Sequence, residues 1–317
     1  MKKVLAIMCA VLMLVSMSAC SAEDDGKYVI GICQLVKHEA LDAATQGFQD
    51  ALIAELGAEN VTFDLQIAAG ESTACTNIVL DFVASDVDLI MANATPALQA
   101  ASAATEDIPI LGTSVTEYGV AMGITNFNGV VGGNVSGTSD LAPLDQQAAM
   151  VKEWFPDAKN VGLLYCSAEP NSKYQVDTVQ VELEKLGFVC NQYAFSAVSD
   201  LDAVTRKAAA ESDVIYLPTD NTVAESTGII DSICRPAGIP IIAGEKGICA
   251  GCGVATLSID YYDLGYATGK MAAQILKGEA NISEMAIAYA PEFTKLYNAE
   301  ICAELNIKVP DGYSPIE

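Results

Sequence analysis

Short runs of β-branched and aliphatic residues alternate along this chain with longer stretches whose apolar positions recur every three or four residues. Residues 28–35 form the first such run, and the apolar positions 41, 44, 48, 51, 52 and 56 then follow at helical spacing up to Gly57. The same reading predicts strands at 61–68, 88–93 and 108–112, with helices at 73–85 and 95–105 between them. Strand alternating with helix implies a parallel sheet with ligand sites at the carboxyl ends of its strands. From 113 to 143 the rhythm breaks, and the glycine-rich stretch 129–140 lacks both the Lys of a phosphate loop and the context of a dinucleotide fingerprint. It reads as a crossing between two lobes.

The alternation then resumes, with a helix at 143–155 and strands at 161–165, 188–195, 214–217 and 239–243. Landmarks of the two halves correspond: Gly31 with Gly162, Gly57 with Gly187, Asp88 with Asp213 and Pro109 with Pro240, at offsets between 125 and 131 residues. Such constancy implies an internal repeat. After 243 the chain is expected to cross back, through a helix with apolar positions 264, 267, 271, 272, 275 and 276, a strand at 285–290 and a last helix at 297–305. The predicted fold is α/β, two similar Rossmann-like lobes with parallel sheets joined by a three-crossing hinge. Lobe one comprises 28–138 plus 245–281, and lobe two 139–244 plus 282–317.

The repeat also duplicates a half-site. The segments 87–96 and 212–221 each run from a buried-strand pattern into Thr, Pro and Asn. Thr95 before Pro96 is placed to cap a helix whose free amides and positive end face a cleft, where a ligand carboxylate would sit with Ser114 and Thr116 as further donors. Asp220, at the matching place in the other lobe, is positioned to accept from an ammonium group. Gln34, Leu35 and Tyr165 are candidates for the pocket walls, and Glu169, Asn171 and Asn221 for its polar edges. Thr95 and Asp220 also suit plain helix caps, and His38 a surface or capping position.

Forty-one acidic residues face sixteen basic ones, a net charge of −25, which argues against nucleic acid or an anionic bilayer as partner. The apolar run 4–15 behind Lys2 and Lys3, ending in small residues before Cys20, reads as a secretory signal over 1–19. The segment before Cys20 resembles a lipobox, so Cys20 is expected to carry lipid, followed by a tether over 20–27. The body would then be extracytoplasmic and held at the membrane. Of the ten cysteines, Cys33 and Cys166 read as small buried hydrophobes. Cys249 and Cys252 form one CxxC among glycines 247, 251 and 253, a loop holding a local disulfide or inert thiols. With a single histidine and no nucleophile–base pairing, no metal, cofactor or enzymatic activity is expected.

Several motifs in order make the resemblance narrower: 94–100, 108–110, 113–116, 134–137, 169–172, 218–221 and 260–265. Together they resemble the tryptophan-binding-protein-like family of ABC-transporter substrate-binding lipoproteins, of the type I periplasmic binding fold. Ala97, Asp260 and Tyr261, within these segments, join the candidate ligand contacts, with core packing as the other reading of Tyr261. The resemblance implies a monomer that closes on an aromatic amino acid (tryptophan, tyrosine or phenylalanine) and delivers it to an ABC permease. The family's Thr-Asp-Pro is replaced here by Thr116-Glu117-Tyr118, which changes size and charge beside the cleft. A different small hydrophobic amino acid or metabolite, or a receptor that presents its ligand to a membrane sensor, are the alternatives.

Overall fold

The computed structural model describes residues 26–316, so the signal segment 1–19 and Cys20 lie outside the described residues. The strands in chain order are β1 (Tyr28–Gln34), β2 (Val61–Ile67), β3 (Leu89–Asn93), β4 (Ile110–Val115) and β5 (Val135–Ser139), then β6 (Asn160–Cys166), β7 (Val189–Phe195), β8 (Val214–Leu217), β9 (Ile241–Ala243) and β10 (Ala255–Ser258), and last β11 (Ala288–Tyr289), β12 (Thr294–Tyr297) and β13 (Ser314–Pro315). They form two sheets, ordered β11-β5-β4-β3-β1-β2 and β13-β12-β10-β9-β8-β6-β7. The first is parallel throughout. The second is parallel except where β12 runs against β10. Both faces of β3 and β4 are covered, which is why β3 is a nearly continuous apolar run instead of an alternating one, while β4 buries small and polar residues as well.

Each lobe repeats one strand order, second-first-third-fourth-fifth, and the repeat extends to side chains. Asp88 accepts a hydrogen bond from the Val29 amide at 2.7 Å, while Asp213 accepts from the Lys159 and Asn160 amides at 2.9 and 2.8 Å. Each aspartate therefore pins the start of its lobe's first strand, β1 or β6. Gly31 and Gly162 also play matching parts, since a Cβ on Gly31 would stand 2.6 Å from the Phe82 ring and one on Gly162 2.4 Å from Ser212 Oγ.

The returning helix Tyr261–Leu276 packs on the first lobe against helix Glu39–Leu56. The approach is close because glycines line the seam. A Cβ on Gly265 would lie 1.9 Å from the Ala44 carbonyl oxygen, one on Gly47 2.1 Å from that of Tyr262, and one on Gly269 2.5 Å from that of Phe48.

Several local expectations are corrected. The stretch 129–140 holds β5, buried along its whole length in the first sheet, because its small residues fit against β4. Helix Lys246–Cys252 replaces the predicted CxxC loop; Glu245 accepts from the Gly247 amide at 2.6 Å and from the Ile248 amide, which starts the helix despite its glycines. A short helix, Tyr118–Met122, and strand β12 were not anticipated. Strand pairing also shifts the expected crossings. Ala255 pairs with Ile242, so β10 extends the second sheet and 245–258 does not return to lobe one. Ala288 pairs with Thr138, so β11 belongs to the first sheet although 282–317 was assigned to lobe two.

Candidate functional site

The carboxyl ends of the central strands of both lobes converge on one cleft. Ser114 stands in the last residues of β4 and Thr116 just after that strand, with Asp140 after β5, Thr219 and Asp220 after β8, and Glu245 after β9. His38, Ala40 and Leu41 enter from the start of helix Glu39–Leu56, Asn171 from the first turn of helix Pro170–Lys185, and Tyr261 from the returning helix. Together with Asn221 and Ala224 they line a narrow cavity of about 10 Å³. The lobes touch across this space. His38 Nε2 lies 3.2 Å from Asn221 Oδ1, Gln175 Nε2 donates to Thr116 Oγ1 at 3.4 Å, and at the rim Lys246 pairs with Glu39 at 3.3 Å. The cleft is shut.

Ser114 sits where the β4–β5 register slips between Gly112 and Val115, and its φ of 53° lies in the left-handed region. A non-glycine residue there carries strain, of the kind that collects at ligand sites. Its hydroxyl is buried without a partner. Two more orphans line the same cleft: Asp140 Oδ1, whose companion Oδ2 accepts from the Tyr261 hydroxyl at 3.0 Å, and Asn171 Oδ1. Buried polar atoms are ordinarily paired, and three of the eight unpartnered side-chain atoms among the described residues line this one cleft, where a ligand or water would pair them.

The remaining polar groups are tightly held. Asp220 Oδ2 accepts from the Cys166 amide at 2.7 Å and Oδ1 from the Val223 amide at 2.9 Å, so it does cap the helix after it. Glu169 Oε2 accepts from the Asn221 amide, the Asn221 side chain and Asn171 Nδ2 at 3.1, 2.7 and 3.1 Å. Its Oε1 accepts from the Thr222 amide and hydroxyl at 2.8 and 2.7 Å.

A cleft at the strand ends of two lobes with one topology is a hinge-closing binding site, and residues 29–314 match the family model described as ABC transporter substrate binding protein. The chain belongs to this substrate-binding protein family. It is 33% identical, over 97% of its length and 93% of the relative's, to a tyrosine-binding protein of Clostridioides difficile. A structure of an ABC domain in complex with L-Trp from Streptococcus pneumonia is similar at a TM-score of 0.87 and 31% identity, covering 92% of this chain and 100% of that one. The ligand-free, open structure of a substrate-binding protein with adhesive properties from Clostridium difficile gives 0.70 at 36% identity, covering 92% and 99%. The better superposition on the liganded structure, despite lower identity, agrees with a shut cleft. Similarity to a leucine-binding protein of Thermotoga maritima, TM-score 0.61 at 15% identity over 88% of this chain and 87% of that one, supports the type I periplasmic binding fold. Proteins of this family are extracytoplasmic binding proteins of ABC transporters; no described helix is long and apolar enough to cross a membrane.

In this substrate-binding protein the cleft brings together Ser114, Thr116, Asn171, Asp220, Asn221 and Tyr261 from among the predicted residues. Glu169 stands directly behind them, on Asn171 and Asn221. Others lie elsewhere. Gln34 spends its side chain inside lobe one, donating to Asp42 Oδ1 at 2.7 Å and accepting from Thr45 Oγ1 at 2.7 Å, and Leu35 is in that lobe's core. Tyr165 is in the core of lobe two, with its hydroxyl on Gln192 Oε1 at 3.0 Å. Thr95 is not the cap, because Ala94, at φ 93°, takes that place; Thr95, Pro96 and Ala97 are buried in the first turn and do not line the cleft. Asp260 is an exposed cap that accepts from the Asp263 amide at 3.0 Å.

Sequence reasoning missed His38, Ala40, Leu41, Asp140, Thr219, Ala224 and Glu245. A signal for two of them existed: Asp140 and Glu245 follow the ends of β5 and β9 as Asp220 follows β8, but the sequence pattern reads β5 as a crossing and Glu245 as the start of the return to lobe one. His38 takes the expected N-cap position of helix Glu39–Leu56, without a side-chain cap bond, and its ring reaches across to Asn221 of lobe two.

Electrostatics are dominated by burial. It pushes Asp220 up to about 8, with Glu169 adding to the rise and the Cys166 and Val223 amides opposing it. Burial raises Glu245 to about 7 against its two helix amides, and Asp140 to about 6 against the Thr116 and Tyr261 hydroxyls. Burial lowers His38, partly offset by Asn221, Glu169, Asp42 and Glu225. Cys249 and Cys252 are likewise raised well above the ordinary thiol value by burial, the wrong direction for a reactive thiolate.

Ser114→Gly separates strain from recognition. It should raise stability by about 1 kcal/mol, because glycine adopts left-handed backbone freely, and at the same time weaken ligand binding through loss of the hydroxyl. Thermal melts and calorimetry on the same preparation check both directions; unchanged affinity would mean that the hydroxyl does not meet the ligand.

Proposed function

We propose that this protein captures an aromatic amino acid by closing its two lobes, and releases it to an ABC permease. The observation that carries the reading is the set of orphaned polar atoms, Ser114 Oγ, Asp140 Oδ1 and Asn171 Oδ1, facing one cavity between the lobes. An amino acid supplies an ammonium for the acceptors and a carboxylate for the hydroxyls. The named tyrosine-binding relative and the L-Trp complex support the aromatic class. In this reading Asp220 faces the ammonium, Ser114 and Thr116 the carboxylate, and Asn171, Asn221 and Tyr261 complete the walls. A monomer tethered by lipid on Cys20 would keep the closed form close to its permease.

Aromatic burial would supply a large share of the binding energy. Burying roughly 150–250 Å² of ring at about 25 cal/mol per Å² supplies about 4–6 kcal/mol, whereas micromolar binding needs about 8 kcal/mol. Ring and polar contacts must therefore contribute together. Closure is a population shift, since only the shut form contacts the ligand from both lobes.

Calorimetry against the twenty amino acids tests the proposal, with tyrosine, tryptophan or phenylalanine expected to bind. Asp220→Ala should weaken that binding by about tenfold or more, the loss of one hydrogen bond to a charged group. Unchanged affinity would remove Asp220 from ammonium recognition, and absence of binding by any aromatic amino acid would overturn the proposal itself.

A further inference from the structure

The cleft is unbalanced in its chemistry. Asp140, Asp220 and Glu245 line it, Glu169 backs it, and among the described lining residues there is no lysine or arginine. Lys246 is engaged with Glu39 at the rim, and His38 with Asn221. The three carboxylate residues are 4%, 1% and 3% exposed, so solvent does little for them in the shut form. Donors are scarce by comparison. The Ser114 hydroxyl is without a partner and that of Thr116 is engaged with Asp140 and Gln175, while the first turn holding Thr95 and Pro96 lies outside the lining.

The orientation of Asn171 sharpens this imbalance. Its Nδ2 donates to Glu169 Oε2 at 3.1 Å, to Ser172 Oγ at 3.2 Å and to the Thr219 carbonyl at 3.5 Å. A flipped amide would aim its oxygen at a carboxylate and a carbonyl, neither of which can donate, so Nδ2 is held there and Oδ1 is left to the cavity. Asp140 offers a second unpaired acceptor, its other oxygen taken by Tyr261. A chain of contacts holds the two acceptors in one neighbourhood: Gln175 Nε2 donates to the Asn171 carbonyl at 3.2 Å and to Thr116 Oγ1 at 3.4 Å, and Thr116 lies beside Asp140.

We infer that the primary ammonium is the obligatory half of the ligand and the carboxylate the dispensable half, so that the cleft also accepts arylalkyl primary amines that have no carboxylate. The inference rests on the aromatic amino-acid reading for the side-chain part and on the acceptor set for the rest. An amine without a carboxylate leaves only hydroxyls unfilled, and these can bond one another or a water. An acid without an amine leaves Asp140 Oδ1 and Asn171 Oδ1 buried and unpaired, and adds a like charge to a cleft of carboxylates.

The test is calorimetry at neutral pH on the purified protein with two matched series: tyrosine, tyramine and 3-(4-hydroxyphenyl)propionate, and tryptophan, tryptamine and indole-3-propionate. The amine is expected within about a hundredfold of its amino acid, and the acid at least about tenfold weaker than the amine. Amine binding without any amino-acid binding would support the inference and overturn the amino-acid reading. Acid binding as tight as amine binding, or no binding by any of the six, would overturn the inference. Asp140→Asn keeps the shape and the Tyr261 contact, and a melting curve verifies its fold; it should narrow the amine-over-acid preference by about tenfold, an effect that a purely structural role would not produce. An unchanged preference would overturn the part assigned to Asp140.

Discussion

Replacing Gly265 by alanine should lower the stability of the whole protein by about 3 kcal/mol, the upper range for forcing a methyl group into a packed interior. The added Cβ would stand 1.9 Å from the Ala44 carbonyl oxygen and 2.7 Å from its Cα, so the obstacle is backbone and no side chain can turn aside. The helices Glu39–Leu56 and Tyr261–Leu276 would have to separate, and with them Tyr261, whose hydroxyl holds Asp140. Loss of stability and loss of ligand affinity are therefore expected together. Gly228→Ala is the control: it lies in helix Thr227–Ala237 with nothing within 4 Å of the new methyl, and helix propensity favours alanine there. Thermal melts should show a drop of several degrees for the first and none for the second. Equal melting temperatures would mean that the seam is looser than the glycines imply.

Acidity should act on stability and on binding in opposite directions. Asp140, Glu245 and Asp220 are raised to about 6, 7 and 8 by burial. A carboxyl whose folded value exceeds its unfolded value costs stability when it ionises, so the penalty is absent near pH 4 and grows as pH climbs toward the folded values. The ligand-free protein should therefore melt higher at pH 5 than at pH 8. A bound ammonium favours the ionised carboxylates, so binding near pH 7 should expel protons, and affinity should fall by up to about tenfold per pH unit for each proton displaced. Protonation of His38, which faces Asn221, Glu169, Asp42 and Glu225, would add positive charge near the ammonium and push in the same direction. Calorimetry in two buffers of different ionisation heat reads the proton count directly. Affinity that rises on acidification would refute the ammonium assignment.

How much of this was legible beforehand varies with the range of the interaction. The offsets that paired Gly31 with Gly162 and Asp88 with Asp213 were visible in the sequence because a duplicated unit repeats its local needs: a strand that passes close to a side chain, and a carboxylate that ties down a strand start. Predicted strands and helices mostly stand within a residue or two of the observed ones for the same reason, since period and punctuation are local. The stretch 135–139 was misread because small, polar residues carry little strand signal, and only their place against β4 makes a buried strand of them. The CxxC segment was misread because glycines suggested a loop, while two amides on Glu245 were enough to start a helix.

By itself the chain determined that there are two like α/β lobes, and it pointed to Ser114, Thr116, Asn171, Asp220 and Asn221 at or just beyond strand ends, because alternation, turn residues and strand-end polarity are written over a few consecutive positions; Tyr261 entered only through the resemblance, and the structure brings all six to one cleft. Only the tertiary structure decided which strand ends meet. It turned Gln34, Leu35, Tyr165 and the Thr95 turn inward and brought His38, Asp140 and Glu245 to the cleft. Side-chain direction at a strand end depends on sheet order, helix packing and the angle of the hinge, and those are set by contacts between residues more than a hundred positions apart, such as Tyr261 with Asp140 and His38 with Asn221.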